Sequence, residues 1–581
     1  MRGSQDVIPF YKPFIVGREL ANSAGAWAGR LPALLAFSIA FIVLVLAVSP
    51  PTFFTNDNIA IVRNIESGFD PSFLSVLLGR GLGWLYRRVN GHVAWYGFFL
   101  YAVHAVSLAL FLNGAARLRG RLAWKAPCVL LYLAIYAGFI IRVDYTAAAI
   151  MISANALFSF LAGMRADRRL SVTTCLALGG LLALGYLIRT NSFKAVLVLG
   201  APLVVASILA RHAREEWPRY VAFLLAAVAV VLANVAVARF GMSEDARAFE
   251  RFNWTRGWFH DHPVAAQSAA PELLRRIGWS ANDYDALRYW FFVDESTFTE
   301  ARLRQFLAEA PDPRLDRLRN LPREWTRFHK QYGNVISILW LLIVAAWLIR
   351  PHRAPWVAAY VLYVLAGLVG LQLVYRLPPR IGGPLFLLAF AGVAYLFEGG
   401  TEPIGQPASP RRRFLSAAFL WVVGVLIAWG WLIWLGDLRR QSSQGRRAFD
   451  QAVHALRELP SGSLFVIQPA AGVEWEFMSP FSTRAAQGIP SVPLGWSTFS
   501  PLFYQVLHDG GVARGSDLVR ATIDNPRWYY VIHDMEFSDM LTRFTREHAG
   551  VAAGLELVQA LPNGSRIYRL ATAGAAGESR P

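Results

Sequence analysis

Residues 32-60 read PALLAFSIAFIVLVLAVSPPTFFTNDNIA, an apolar run followed at once by an aspartate between two asparagines. The run 32-50 is the first in the chain that is long enough to cross the ~30 Å hydrocarbon layer of a bilayer as a helix. The sequence therefore predicts that Asp57 lies at a membrane face.

The composition is that of a polytopic membrane protein. The 581 residues are 55% hydrophobic and only 17% charged, which is too apolar for a soluble enzyme of this size. The formal net charge of +18 would suggest nucleic-acid binding in a soluble chain. Here the arginines lie between apolar runs, where positive charge orients helices, so we predict no nucleic-acid partner. Cys128 and Cys175 both lie inside predicted spans, which argues against a disulfide framework or a thiolate metal site.

Apolar runs predict about eleven membrane-spanning helices. They lie at 32-50, 93-112, 126-141, 145-164, 171-188, 192-210, 218-239, 333-349, 355-375, 382-397 and 414-436. Lys and Arg in short links resist translocation and so mark the cytoplasmic side. Fifteen lie in links on one side: Arg117, Arg119, Arg121, Lys125, Arg165, Arg168, Arg169, Arg211, Arg214, Arg219, Arg350, Arg353, Arg411, Arg412 and Arg413. Five lie on the other: Arg142, Arg189, Lys194, Arg376 and Arg380. The N-terminus is therefore predicted to be cytoplasmic, and an odd number of spans places the C-terminus outside.

Three non-membrane pieces are predicted on the outer face, at 51-92, 241-331 and from 437 onward. The first contains an amphipathic segment with an aromatic and basic end, which we expect to lie along the membrane surface. In the second, three prolines are expected to separate short helices. The composition of 437-581 is that of a soluble domain, and its strand-like segments predict a small periplasmic α/β domain after a transmembrane part at 1-436. Those segments are 463-467, 528-532 and 566-570.

Asp57 is the first candidate for chemistry. A carboxylate just beyond a membrane-crossing helix can accept a proton from an alcohol while its neighbours shield it from bulk water. The structural alternative is that Asp57, with Asn56 and Asn58, caps a short helix starting near Ile59.

A cytoplasmic N-terminus, a first span that ends in an Asp-bearing outer loop, a large number of spans and an outer C-terminal domain together resemble the architecture of the GT-C membrane glycosyltransferases. More narrowly, three motifs are similar to those of an uncharacterised bacterial branch of such proteins: Asn56-Asp57-Asn58-Ile59, Phe252-Asn253-Trp254-Thr255-Arg256 and the segment 277-284. The resemblance implies a bacterial inner-membrane enzyme that transfers a sugar from a polyprenyl-phosphate carrier to a glycan, lipid or protein acceptor on the outer face. It also implies that Asp57 is the catalytic residue. The branch often has a second acidic residue where this chain has Asn58, which weakens the case for a metal bound by adjacent carboxylates.

A second acidic residue, Asp144, follows Arg142 in a link on the same side as Asp57. Some GT-C enzymes use such a residue to hold a divalent cation, Mg²⁺ or Mn²⁺, or to position the acceptor. Hard cations need several oxygen ligands, and Asp57 and Asp144 alone do not supply enough. An ion pair of Asp144 with Arg142 or Arg189 is the structural alternative.

The outer links also carry cations that a phosphate-linked donor needs. Arg189 and Lys194 lie in one link, and Arg376 and Arg380 flank a rigid Pro-Pro turn in another. Fixed cations near the membrane surface can hold a phosphate and stabilise the charge that develops as a glycosidic bond breaks. The alternative is that these side chains extend towards lipid phosphate.

The stretch 251-263 mixes aromatic and polar residues, as sugar sites often do. It is interpreted as a packed loop in which Arg256 and His260 are the residues expected to reach substrate. Its His-x-His pattern has no further spaced ligands, so it is weak evidence for zinc. The acidic stretch 282-285 is better interpreted as a helix cap than as a calcium loop.

The resemblance, more than the residue chemistry, favours an inverting glycosyltransferase with Asp57 as general base. The main alternative is a transporter or flippase of lipid-linked saccharides, which should show pseudo-symmetric halves and charges near mid-membrane. The sequence shows no internal repeat, and its ionisable residues cluster at the outer face. A third alternative is a membrane-anchored assembly protein whose outer domain does the work.

Overall fold

The computed structural model describes residues 13-118, 122-165, 170-209, 213-261, 271-310, 317-375, 377-398, 410-468, 477-483 and 489-572. The membrane part contains α1 (Pro13–Val48), α4 (Trp95–Arg117), α5 (Leu122–Ile141), α6 (Tyr145–Arg165), α7 (Val172–Ile188), α8 (Thr190–Leu209) and α9 (Ala213–Gly241). It continues with α14 (Leu321–Ile349), α15 (Ala354–Val374), α16 (Pro379–Glu398) and α17 (Pro410–Arg457). Between α1 and α4 lie α2 (Asn56–Glu66) and α3 (Val76–Trp84), and between α9 and α14 lie α10 (Glu244–Asp261), α11 (Pro271–Ile277), α12 (Ala281–Arg288) and α13 (Glu300–Glu309).

Within the described ranges, eight helices are long and apolar enough to cross a membrane, so the chain is a multi-pass helical membrane protein. They are Arg30–Val48, Trp95–Arg117, Tyr145–Arg165, Thr190–Leu209, Glu216–Gly241, Leu321–Leu348, Ala354–Val374 and Pro379–Phe397. Two of the other predicted spans match shorter apolar helices, Lys125–Ile141 and Val172–Ile188. The last predicted span, 414-436, is the first half of α17, a helix of 48 residues.

The helix α6 lies at the centre of the bundle. Every residue of its first twenty positions is buried, and it packs against α4, α7, α8 and α16. Its Asn155 donates to Ser107 at 2.9 Å and accepts from Tyr132 at 2.9 Å, as expected for an amide that joins helices. The helix α7 approaches closely because Gly185 has no side chain, and a Cβ there would lie 1.9 Å from Ser153 Oγ. The register of α6 against its neighbours is therefore fixed by polar bonds and close backbone contact.

The two sets of cations lie at opposite ends of this bundle. Arg165, at the last turn of α6, donates to the Tyr395 carbonyl, and Arg350 donates to the Phe397 carbonyl at 3.0 Å. Arg189 and Arg380 lie at the other end, beside the first turn of α6. The separation agrees with the side assignment made from the link charges, and the cytoplasmic orientation of the N-terminus stays a prediction.

The non-membrane pieces meet at the end that holds Asp57. The C-terminal segment forms a four-stranded mixed sheet in the order β3-β4-β6-β5, from β3 (Leu464–Ile467), β4 (Trp528–Ile532), β5 (Ala553–Ala560) and β6 (Arg566–Thr572). Its helices are α18 (Pro501–Asp509), α19 (Leu518–Thr522) and α20 (Met535–Ala549). Buried side chains of α10 to α13 and of one face of this sheet form one hydrophobic core, whereas Phe465, Tyr529 and Ile567 on the other face belong to the core of the bundle. The predicted strands are present, and β5 is an additional one.

A charged histidine joins the loop helices to the C-terminal segment. His548 on α20 contacts Asp283 at 2.7 Å through Nε2 and Asp294 at 3.1 Å through Nδ1. Burial lowers the pKa of His548, but the hydrogen bonds and charges of the two aspartates outweigh it and raise the pKa to about 9. Asp283 also completes a capping box with Ser280 at the start of α12, so the helix-cap interpretation of 282-285 is confirmed.

We expect this contact to weaken in alkaline solution. The folded pKa lies above the ordinary value of 6.5, so the stabilisation is complete below pH 6.5 and is lost as the pH rises through about 9. The loss should be about 3 kcal/mol. Thermal unfolding in detergent from pH 6 to pH 10 should show this decline in the wild type and not in His548→Gln. His454→Gln, which changes an exposed histidine paired with Glu458, is the control. A decline that persists unchanged in His548→Gln would contradict the assignment.

Candidate functional site

Asp57 is held near Asp144 by a short parallel strand pair. The strands β1 (Thr52–Phe53) and β2 (Arg142–Val143) pair in register, Thr52 with Arg142 and Phe53 with Val143. Helix α2 begins three residues after β1, and α6 begins two residues after Val143. The pairing therefore brings the first turns of α2 and α6 together at one end of the bundle. The sequence placed both aspartates on the same side, but a two-residue strand is too short to be predicted from residue pattern.

The Asp57 carboxylate is buried and paired with Arg380. Only 4% of Asp57 is exposed, and Arg380 Nη2 lies 3.2 Å from Asp57 Oδ2. Helix α2 starts earlier than expected, at Asn56, with Thr55 as its N-cap and no side-chain cap hydrogen bond. The Asp57 carboxylate is therefore held by its ion pair with Arg380, which lies on the first turn of α16.

Burial raises the pKa of Asp57 above its ordinary value of 3.8, and the positive charges of Arg380 and Arg189 counteract this only in part. The negative charges of Asp144 and Asp261 act in the same direction as burial. Arg380 Nε is also buried and has no hydrogen-bond acceptor among the described residues. The pair is thus a carboxylate with increased proton affinity beside a guanidinium that retains an unused donor.

Asp144 serves as the N-cap of α6. Its Oδ1 accepts from the backbone N–H of Thr146 at 2.8 Å and of Ala147 at 3.3 Å, and its Oδ2 accepts from Thr55 and Asn58. Both carboxylate oxygens are therefore occupied by protein donors, and Asn58 takes the place that a second acidic ligand would need. The residues present do not fit a divalent cation held between Asp57 and Asp144.

Removing the Asp144 side chain should destabilise the fold. Asp144→Ala removes the cap, leaves the buried Thr55 hydroxyl without its acceptor and takes one acceptor from Asn58, which should lower the free energy of unfolding by about 2 kcal/mol. Asp144→Asn keeps an oxygen acceptor and is expected to lose less than half of that. Thermal unfolding of both variants in detergent, with and without Mg²⁺, tests this. If Mg²⁺ raised the midpoint of thermal unfolding of the wild type but of neither variant, the interpretation of Asp144 as a metal ligand would be restored.

We call Asp57, Asp144, Tyr145, Arg189 and Arg380, which act on one another electrostatically, the Asp57 pocket. The other predicted cations lie in this pocket, near it or outside the described residues. Arg189 lies 5.0 Å from the centre of the Tyr145 ring, donates to the Tyr145 hydroxyl and acts electrostatically on Asp57. Lys194 is exposed one turn along α8. Arg142 stacks near Phe54 and Phe477 at 5.8 Å and 5.6 Å. Arg376 lies outside the described residues.

The prediction of a loop at 251-263 is wrong for the residues that the structure describes, because α10 extends to Asp261. One face of α10 is buried, and its residues recur at helical spacing: Phe252, Arg256, Phe259 and His260. His260 Nε2 lies 2.9 Å from the Leu287 carbonyl, and its ring stacks on Trp290 at 3.7 Å, so it is a packing residue in this arrangement. The polar residues between these positions obscured the helical period.

Arg256 is 1% exposed, and its Cζ lies 4.1 Å from the centre of the Trp496 ring and 5.1 Å from those of Trp290 and Phe292. Burial lowers the pKa of Arg256 to about 9, against the charges of Asp261 and Asp57. Arg256 and Asp57 are thus near enough to interact electrostatically.

A row of aromatic side chains connects Arg256 with the Asp57 pocket. Trp290 lies 4.9 Å from Trp496, Trp496 lies 4.9 Å from Phe73, and Phe73 lies 5.8 Å from Tyr145, measured between ring centres. Sequence reasoning singled out none of these rings. They come from four separated segments, and no local pattern indicates that they meet.

No model of a known protein family matches the chain, and no curated protein sequence matches it. Among solved structures, ArnT from Cupriavidus metallidurans in the apo state aligns with a TM-score of 0.37 and 14% sequence identity. The alignment covers 94% of this chain and 98% of that one.

Proposed function

We propose that this protein is a GT-C-type membrane glycosyltransferase that moves a sugar from a polyprenyl-phosphate donor to an envelope acceptor with inversion at the anomeric carbon. The observation that carries the proposal is the buried Asp57–Arg380 pair, in which Arg380 Nε has no acceptor among the described residues. Displacement of a phosphate by an alcohol requires a base that takes the proton of the alcohol and a cationic hydrogen-bond donor that stabilises the phosphate, close to each other.

In the proposed reaction, Asp57 takes the proton of an acceptor hydroxyl as its oxygen bonds to the anomeric carbon. The bond between that carbon and the phosphate oxygen breaks, and its electron pair stays on the phosphate. The phosphate leaves as a stabilised anion, so one carboxylate is sufficient and no acid is needed. The increased proton affinity of the buried Asp57 suits this role at neutral pH.

Arg380 supports the departure of the phosphate. With an unused Nε, it can donate to an incoming phosphate oxygen. The negative charge of that phosphate offsets the positive charge of Arg380 and so raises the proton affinity of the nearby Asp57 carboxylate further. Donor binding would in this way increase the basicity of Asp57 when the donor is in place.

Further positive charge surrounds the donor phosphate in the proposed complex. Arg189 acts from beside Tyr145, Lys194 is assigned to the outer rim of the site, and Arg376 is proposed to bind the phosphate as well. Asp144 and Arg142 are assigned supporting roles, since Asp144 caps α6 and holds Asn58 beside Asp57. No metal participates in any proposed step.

The enzyme is proposed to lie in the bacterial inner membrane with a cytoplasmic N-terminus. The Asp57 pocket, the loop 241-331 and a C-terminal α/β domain at 437-581 would then face the periplasm, where lipid-linked donors and envelope acceptors meet.

The test is transfer by purified protein in detergent. Radiolabelled polyprenyl-phospho-sugars and a crude envelope acceptor are mixed with the protein, and label in the acceptor is counted. We expect the label to move from lipid to acceptor. Micelles offer no bilayer for transport, so only transfer can move the label in this assay. If the label stayed on intact lipid with every donor, and the protein transported the lipid in proteoliposomes, the proposal would be refuted and the flippase alternative favoured.

A further inference from the structure

Arg256 is a buried cation whose hydrogen-bonding capacity is largely unused. One guanidinium nitrogen donates to Asn253, while Nε and Nη1 have no acceptor among the described residues. A buried N–H without an acceptor is unfavourable. The position is therefore suited to an anionic group that arrives with a ligand.

The surroundings of Arg256 are aromatic. We call Arg256, Trp290, Phe292 and Trp496 the Arg256 box; its three rings lie within 5.1 Å of the guanidinium carbon. Rings stabilise the positive charge through their faces but do not replace in-plane hydrogen-bond acceptors. Phe292 is buried, whereas Trp290 and Trp496 are half-buried and so can contact a ligand.

The backbone at Trp290 indicates that its position is enforced. Trp290 has φ of +63°, a left-handed conformation that is rare for a bulky aromatic residue. Its ring is held by stacking on His260 at 3.7 Å. Such conformations persist only where the surrounding structure imposes them, and they concentrate at ligand sites.

We propose that the Arg256 box is a subsite for an acidic pyranose ring. A carboxylate or phosphate on the ring binds Arg256, and a C–H face of the ring stacks on Trp496, because His260 already covers one face of Trp290. The row through Trp496 and Phe73 leads from this box to Tyr145 in the Asp57 pocket. Arg380 and Arg189 already provide for the donor phosphate, so we assign the acidic ring to the acceptor; that assignment rests on the proposed function.

Saturation-transfer NMR on the full-length protein in detergent tests the subsite without any transfer reaction. The probes are D-glucuronate, D-glucose 6-phosphate and D-glucose. We expect at least one acid to bind about tenfold or more tightly than glucose, as a charged hydrogen bond implies, with saturation reaching the ring C–H protons. The acid that binds identifies carboxylate or phosphate as the preferred group. Equal binding of all three sugars, or no binding, would overturn the proposal.

Two variants test whether the acid binds at the Arg256 box. Arg256→Gln should reduce acid binding to the level of glucose, and Trp496→Ala should abolish saturation of the ring protons even if Arg256→Gln does not fold. Arg251→Gln is the matched control, because Arg251 is an exposed arginine on the same helix. Acid binding that survives in both Arg256→Gln and Trp496→Ala would refute the subsite.

Asp57→Asn separates this proposal from the proposed function. Acid binding should persist in Asp57→Asn, because removing a nearby negative charge does not weaken the binding of an anion, while the rate of transfer falls by about 10²–10⁴. A wild-type protein that binds the acid but transfers no sugar would keep the subsite and refute only the transferase function.

Discussion

Asp57→Asn is expected to reduce the rate of sugar transfer by about 10²–10⁴ while leaving donor binding and thermal stability close to those of the wild type. Asparagine is nearly isosteric and still accepts a hydrogen bond from Arg380, so the pocket should keep its shape. It cannot take up the proton of the acceptor hydroxyl, which is the step assigned to Asp57. Initial rates at saturating donor, with binding of the lipid-linked donor measured separately, give the comparison.

The matched control for this variant is Asp70→Asn. Asp70 lies in the same segment between α1 and α4 and also pairs with an arginine, Arg80, at 3.0 Å, but it is not part of the pocket. Its loss should change transfer less than twofold, as is usual for a partly exposed ion pair. If Asp57→Asn transferred sugar at the wild-type rate, Asp57 would be a structural residue and the base would have to be sought elsewhere.

Arg380→Gln is expected to reduce the turnover number by about 10²–10³, the range found when one preorganised donor to a developing anion is removed. The loss should appear mainly in turnover, because negative charge on the phosphate oxygen grows as the glycosidic bond breaks. Arg380→Lys keeps the charge but not the paired donors of a guanidinium, so an intermediate rate is expected. Steady-state rates over a range of donor concentrations separate the two parameters.

Arg350→Gln provides the control for Arg380. Arg350 caps the Phe397 carbonyl at the opposite end of the bundle and should affect stability alone. Equal turnover in Arg380→Gln and the wild type would contradict the role given to Arg380 and leave its pairing with Asp57 as purely structural.

The sequence predicted the membrane architecture because the signal is local. A bilayer requires long apolar runs, and such runs identified the eight long apolar helices and two shorter ones directly. The residue chemistry around Asp57 was also predictable in part, since a carboxylate and cations in outer links must lie at the same end of the bundle. Asp57 and Arg380, which form the ion pair, are 323 positions apart in the sequence. The charges of the links place both residues at the same membrane face, but they do not predict that the two side chains touch.

The sequence could not predict the outer face of the site, because tertiary packing determines it. Trp290 and Trp496 meet Arg256 only because the loop helices and the C-terminal sheet share a core. The stretch 251-263 was interpreted as a loop because its polar and aromatic residues alternate irregularly, whereas burial of one face stabilises a helix there. Asp144 likewise suggested a metal ligand by its charge, and its hydrogen bonds identify it as a helix cap.

The most direct test of Asp57 as the general base is the pH dependence of kcat/KM for sugar transfer. A base must be ionised to act, so activity should fall on the acid side through a pKa above the ordinary carboxyl value of 3.8. Arg380 lowers the pKa of Asp57, so Arg380→Gln should move this acid limb to higher pH. The residual activity of Asp57→Asn should lack the limb. An acid limb that keeps its position in Arg380→Gln and persists in Asp57→Asn would show that another group controls the rate and would contradict the assignment of Asp57.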